Sequence, residues 1–171
     1  NEGIIGEGVN LTVDHLGVST MYGRFDKSSG KATLDRAART GSLDITIEAA
    51  SIATGDNDKG TRARARDEHL RAADFFNVAE FPRITYKSTR MVFAGDNPSA
   101  IEGNLTLLGV TRPVNLTIDR FKCIPPQGNY KDRCGGNASS KFKRSDCGMK
   151  YGVPSVGDYI GLIIEFEAVK D

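Results

Sequence analysis

The sequence predicts an all-β chain, an antiparallel barrel or sandwich with one short helical insert. Three observations carry this. Apolar and polar residues alternate with a period of two over most of the length, which turns one face of a strand inward and the other to water. Nineteen glycines supply turns and bends. A single segment, about 58–77, breaks the alternation with residues that favour helix.

The alternation marks the strands in order. Val9, Leu11 and Val13 alternate with Asn10, Thr12 and Asp14, and Leu43, Ile45, Ile47 and Ala49 with Asp44, Thr46 and Glu48. Ile84, Tyr86 and Ser88 follow the same rule, then Ile101, Leu105 and Leu107, then Val114, Leu116 and Ile118. Ile160, Leu162, Ile164, Phe166 and Ala168 close the pattern. Eight or nine strands are expected. Lys27–Gly30 reads as a hairpin turn, as does Ala94–Pro98. Gly109–Pro113 reads as a connection to Val114, and Pro125–Asn129 as a longer excursion. The triplet Asn-Leu-Thr at 10, 104 and 115 is shared strand grammar rather than a repeat. In the insert, Asp56 or Asp58 is the expected N-cap, Arg64 and Glu68 an i,i+4 pair, and Ala73 the break point. Such a helix is placed to plug one end of a barrel.

Size and charge narrow the class. The 171 residues, 1–171, suit a single domain with a sizeable core. The net charge of +1 creates no global field for nucleic acid. The longest near-apolar run, Tyr159–Ile164, is too short to span a bilayer, so no stable membrane insertion is expected. The N-terminus carries no secretion signal, which fits a cytosolic or an already processed chain.

Few groups suggest chemistry. His69 lies two residues from Asp67, but no Gly-x-Ser-x-Gly elbow accompanies them, so His69 reads as a hydrogen-bonded anchor of the helix. His15 ends a strand and also reads as structural. A hydrolase acting on a lipid-linked substrate through His69 and Asp67 is an alternative function, and an accessory module of a larger secreted protein a further one. Cys123, Cys134 and Cys147 match no zinc spacing, and no metal site or catalytic cofactor is expected. Either all three are free buried thiols, or Cys123 and Cys134 staple the loop between them. The staple is favoured; it would contribute about 2–4 kcal/mol and implies an oxidising compartment. The arginines of the insert are interleaved with Asp and Glu, which reads as a solvated face.

An ordered string of motifs then resembles a known family. It runs through Thr54, Arg66-Asp-Glu-His-Leu70, Asp74-Phe-Phe76, Phe81-Pro82, Ile84 and Ser88. It continues through Gly103-Asn-Leu-Thr-Leu107, Gly109-Val-Thr-Arg-Pro-Val114, Arg144-Ser-Asp-Cys-Gly-Met149 and Gly157-Asp158. This is similar to the YceI-like family of bacterial lipocalin-like, polyisoprenoid-binding proteins. The resemblance implies an extended antiparallel β-barrel with the helix packed at one end, and a periplasmic or secreted location. It implies non-catalytic binding, transport or sequestration of a long isoprenoid lipid, of the polyprenyl phosphate or ubiquinone type, in an apolar tunnel. A homodimer is among the assemblies such a protein allows. Gly6-Glu7 departs from the family's usual aromatic and His-Ser start, so an altered or frayed N-terminal strand is expected. Cys147 stands where the family usually has Phe, which would widen a tunnel that it lined.

An isoprenoid tail offers no hydrogen-bonding groups, so its binding must come from buried apolar area, about 0.8 kcal/mol per CH₂ before the cost of ordering the chain. The strands are expected to contribute Leu11, Val13, Phe25, Leu43, Ile45, Ile47, Ile84, Tyr86, Leu105, Leu107, Leu116 and Ile118 to the tunnel, with Phe142, Leu162, Ile164 and Phe166. The insert and the Arg-Ser-Asp motif are expected to add Leu70, Phe75, Phe76, Phe81, Cys147 and Met149. Arg62, Arg66 and His69 are the expected head-group contacts.

Overall fold

The computed structural model describes residues 2–170, with side chains from Gly8 onward. The strands are β1 (Glu2–His15), β2 (Ser19–Phe25), β3 (Ser28–Asp35), β4 (Thr40–Glu48), β5 (Ile52–Ala53), β6 (Arg83–Ala94), β7 (Asn97–Leu107), β8 (Val110–Pro113), β9 (Leu116–Ile124), β10 (Arg133–Lys143) and β11 (Val156–Lys170). Neighbours run β1-β3-β4-β6-β7-β9-β10-β11, and β11 returns to β1, so the antiparallel sheet closes into a barrel. The closing ladder extends from Gly3 opposite Lys170 to His15 opposite Val156, and pairs β1 through the Gly6-Glu7 departure.

Alternation sorts the faces as expected. Val9, Leu11 and Val13 face inward opposite Ile164, Leu162 and Ile160, and the inward residues of β4, β6 and β7 are buried beside them. Gly103 interrupts the inward row of β7 because Tyr86 lies across it: a Cβ there would sit 2.5 Å from the phenol oxygen. That hydroxyl donates to the Val114 carbonyl at 2.8 Å, and burial pushes its pKa up to about 12.

Five local expectations fail. Lys27–Gly30 is not a hairpin. Both β2 and β3 pair antiparallel with β1, β2 with Val9–His15 and β3 with Glu2–Ile4, so the chain bends at Asp26-Lys27 and keeps its direction. Gly109–Pro113 is not a simple connection: Val110–Pro113 forms β8 on β7, turned by Leu108 and Gly109, both at positive φ. The insert is helical only over α1 (Arg66–Arg71) rather than 58–77. Its first part turns instead, since Asp58 Oδ1 accepts from the Gly60 N–H, a local bond that competes with helix. Neither Asp56 nor Asp58 caps α1; Ala65 holds the cap position and makes no side-chain bond. Arg64 pairs with Asp74 at 3.1 Å rather than with Glu68.

The segment still closes one end of the barrel, with two polar side chains pinning that end. Asp67, buried, accepts at one oxygen from the Thr54 backbone N–H (2.9 Å) and hydroxyl (2.6 Å). Arg144, 1% exposed, donates to the carbonyls of Gly157, Met149 and Val156 at 2.8, 3.1 and 2.8 Å. Ser145 next to it donates its backbone N–H and its hydroxyl to Asp158, and these bonds hold the Asp158 carboxyl below its ordinary value.

Arg144→Met strands three carbonyls beside the plug and is expected to lower unfolding free energy by about 3 kcal/mol, against about 0.5 kcal/mol or less for exposed Arg120→Met, as read by urea titration. The depressed Asp158 acid adds stability that is complete above about pH 5 and is lost as pH falls through its folded-state value. The urea midpoint of Asp158→Asn is therefore expected to fall less between pH 5 and pH 3 than that of the parent.

Candidate functional site

The two ends of the barrel differ. α1, the 3₁₀ turn Arg144–Cys147 and the loop after it cap one end. Leu16 N–H donates to the Ser155 carbonyl and Arg112 Nε to the Asp146 carbonyl, which ties the cap to the neighbouring turns. His69 Nε2 and Asp74 Oδ2 lie 2.7 Å apart, and the hydrogen bond with His69 holds the Asp74 carboxyl below its ordinary value. The His69, Phe75 and Tyr151 rings stack edge to face at 4.9 to 5.3 Å. His69 thus anchors the cap, as expected.

The other end is open. It is rimmed by the β3–β4 turn, the β6–β7 turn and the β9–β10 loop. A cavity of about 630 Å³ enters there, within the roughly 300–1,000 Å³ usual for ligand sites. Its wall is apolar, with Leu43, Ile45, Met91, Ile101, Leu116, Ile118, Phe121, Ala138, Ile164 and Phe166. Its rim is charged, with Asp35, Arg36, Asp132, Arg133 and Lys170. A second cavity of about 60 Å³ lies deeper and reaches Phe25, Ile47, Phe76, Leu105, Phe142, Met149 and Leu162. Ile45, Leu116 and Ile164 line both and form the waist between them.

Of the expected tunnel residues, Leu43, Ile45, Leu116, Ile118, Ile164 and Phe166 line the entrance cavity. Leu11, Phe25, Ile47, Phe76, Ile84, Tyr86, Leu105, Leu107, Phe142, Met149 and Leu162 line the deeper one. Val13, Leu70, Phe75, Phe81 and Cys147 line neither. Cys147 is 1% exposed within the core, where burial pushes its thiol pKa up, and so does not widen the tunnel.

The expected head-group contacts are also displaced. Arg62 forms a two-pronged pair with Asp56 (2.7 and 2.6 Å), Arg66 lies 3.8 Å from the same carboxylate, and His69 is bound to Asp74. These partners hold all three on the capped end, and none lines a cavity. Asp67 faces Thr54 while His69 faces Asp74, so the helix does not assemble them into a dyad.

The rim carries cations that alternation did not mark. Arg36 donates to the Asp96 carbonyl (3.0 Å) and to Asn97 Oδ1 (2.8 Å). Arg133 lies 3.2 Å from Glu167 and over the Tyr130 ring at 5.2 Å. Its Nε is buried with no hydrogen-bond partner among the described residues. Cys123 and Cys134, directly opposite on β9 and β10, form the expected disulfide and line the entrance. Among the described residues, no three His, Cys, Asp or Glu side chains converge on a metal site, and no helix is long and apolar enough to cross a membrane.

Comparison with known proteins places this architecture. Protein YceI of Escherichia coli is 35% identical over 164 residues, covering 95% of this chain and 81% of that one. The crystal structure of the Campylobacter jejuni YceI protein superposes with a TM-score of 0.76 at 27% identity, over 92% of this chain and 90% of that one. A polyisoprenoid binding domain from Saccharophagus degradans has the same fold at 13% identity, with a TM-score of 0.68 over the whole of both chains. The YceI-like domain profile matches residues 6–168, and the chain belongs to the YceI-like family.

Proposed function

We propose that this protein binds a long-chain isoprenoid lipid, of the polyprenyl phosphate or ubiquinone type, and carries or sequesters it without chemical conversion. One observation carries the reading: an apolar cavity of about 630 Å³ opens at one end of the barrel, a smaller apolar cavity lies behind it, and charge is confined mainly to the entrance rim. A hydrocarbon tail gains free energy from that wall in proportion to the area it buries. The Saccharophagus degradans neighbour, named for polyisoprenoid binding, supports the same ligand class. The Cys123–Cys134 disulfide supports a periplasmic or secreted location, where such bonds persist.

The head group stays at the rim in this reading. A buried guanidinium Nε without a partner is unfavourable until an acceptor reaches it, and a phosphate supplies one. Arg36 and Lys170 add positive charge across the opening.

Protein purified from a bacterial host is expected to release an isoprenoid lipid on organic extraction, detected by mass spectrometry. Absence of any such lipid, with no binding on adding a polyprenyl phosphate or ubiquinone, contradicts the function. Arg133→Gln is expected to weaken binding of the polyprenyl phosphate about tenfold and that of ubiquinone much less. Equal losses for both would move the head group away from Arg133.

A further inference from the structure

The β9–β10 loop has features that holding a ligand does not require. Between Ile124 and Arg133 it projects from the barrel and is braced at its base, its tip and its return. The Cys123–Cys134 bond clamps its base. At its tip, Gln127 and Tyr130 exchange two backbone hydrogen bonds of 3.1 and 2.9 Å around Gly128 and Asn129, with Gly128 in the left-handed region. Lys170 N–H donates to the Asp132 carbonyl and ties the loop to the end of β11.

What it projects is apolar and basic together. Ile124 and Tyr130 are 38% and 66% exposed, and Pro125 and Pro126 between them are exposed as well. Lys122 and Lys131 flank this tip and are exposed, and Arg36 and Arg39 stand exposed on the neighbouring rim turn. Of the nearby acids, Asp35 accepts from the Ala38 N–H and Glu167 is paired with Arg133, while Asp132 in the loop and Asp96 on the β6–β7 turn leave the cations of this end in excess. Tyrosine, proline and isoleucine ringed by lysine and arginine match a membrane interface, where apolar groups enter the head-group layer and cations meet anionic lipid. The tip is continuous with the cavity, since Cys123, Ile124, Pro125 and Arg133 line its entrance.

We propose that this stapled loop docks the open end of the barrel on an anionic lipid bilayer, so that the cavity mouth faces the membrane and a lipid passes between them without crossing water. The passage of lipid rests on the binding function proposed above; the docking does not. The oxidised full-length chain is incubated with isoprenoid-free phosphatidylcholine vesicles, with or without phosphatidylglycerol, and sedimented. Binding is expected to the phosphatidylglycerol vesicles, to weaken with added salt, and to fall about tenfold in K122E/K131E and clearly in Tyr130→Ser. Leu16→Ser/Val18→Ser, which removes exposed apolar side chains at the capped end, is expected to leave it unchanged. No binding to either vesicle, binding indifferent to the loop variants, or loss only in the capped-end variant overturns the proposal. Because these vesicles hold no isoprenoid, sedimentation reads docking alone: docking here, with no binding of separately added polyprenyl phosphate or ubiquinone, counts against the binding function alone. Binding of the added isoprenoid without docking counts against the docking alone.

Discussion

Everything in this molecule depends on the ladder between the first and last strands. The pairing of β1 with β11 turns an open sheet into a tube, and a tube has a wall with one inner face. Once it closes, strict alternation commits every other residue to that interior. An interior of this width must then be filled by side chains or by something else. Here it is filled at one end and hollow at the other, and the difference lies in the connections rather than in the strands.

The filled end is held by polar groups in an apolar setting. Buried Asp67 and Arg144 are both hydrogen-bonded, so their burial fixes geometry instead of leaving a charge stranded. They lock the segment after β5 and the turn before β11 against the barrel, beneath the His69, Phe75 and Tyr151 rings. The hollow end has a hydrocarbon wall and a charged rim, stapled by Cys123–Cys134. That polarity suits an amphiphile lying tail inward with its head at the rim, as the proposed function requires.

The strands were legible because half-buried strands write themselves in period two. β1, β4, β6, β7, β9 and β11 stand where Val9, Leu43, Ile84, Ile101, Leu116 and Ile160 marked them. The bend between β2 and β3 was not, because Lys27-Ser-Ser-Gly30 has turn composition and only tertiary pairing to β1 keeps the chain straight on. The insert holds less helix than its Ala and Arg content favours, because the Asp58-Gly60 turn overrides that propensity. Arg62, Arg66 and His69, the head-group expectation, belong to the insert and are held there by Asp56 and Asp74. The insert caps the far end, and the rim cations Arg36 and Arg133 come from a turn and a strand start that no periodicity marks.

The central claim is that the passage between Arg133 and the cap holds an isoprenoid tail, head outward. The most direct measurement is a crystal structure of the protein loaded with a polyprenyl phosphate. The account predicts continuous ligand density from a phosphate beside Arg133, along Ile118 and Leu43, to the waist at Ile45, Leu116 and Ile164. Density on the outer face of the barrel, or a phosphate at the capped end beside Arg62 and Arg66, would contradict it.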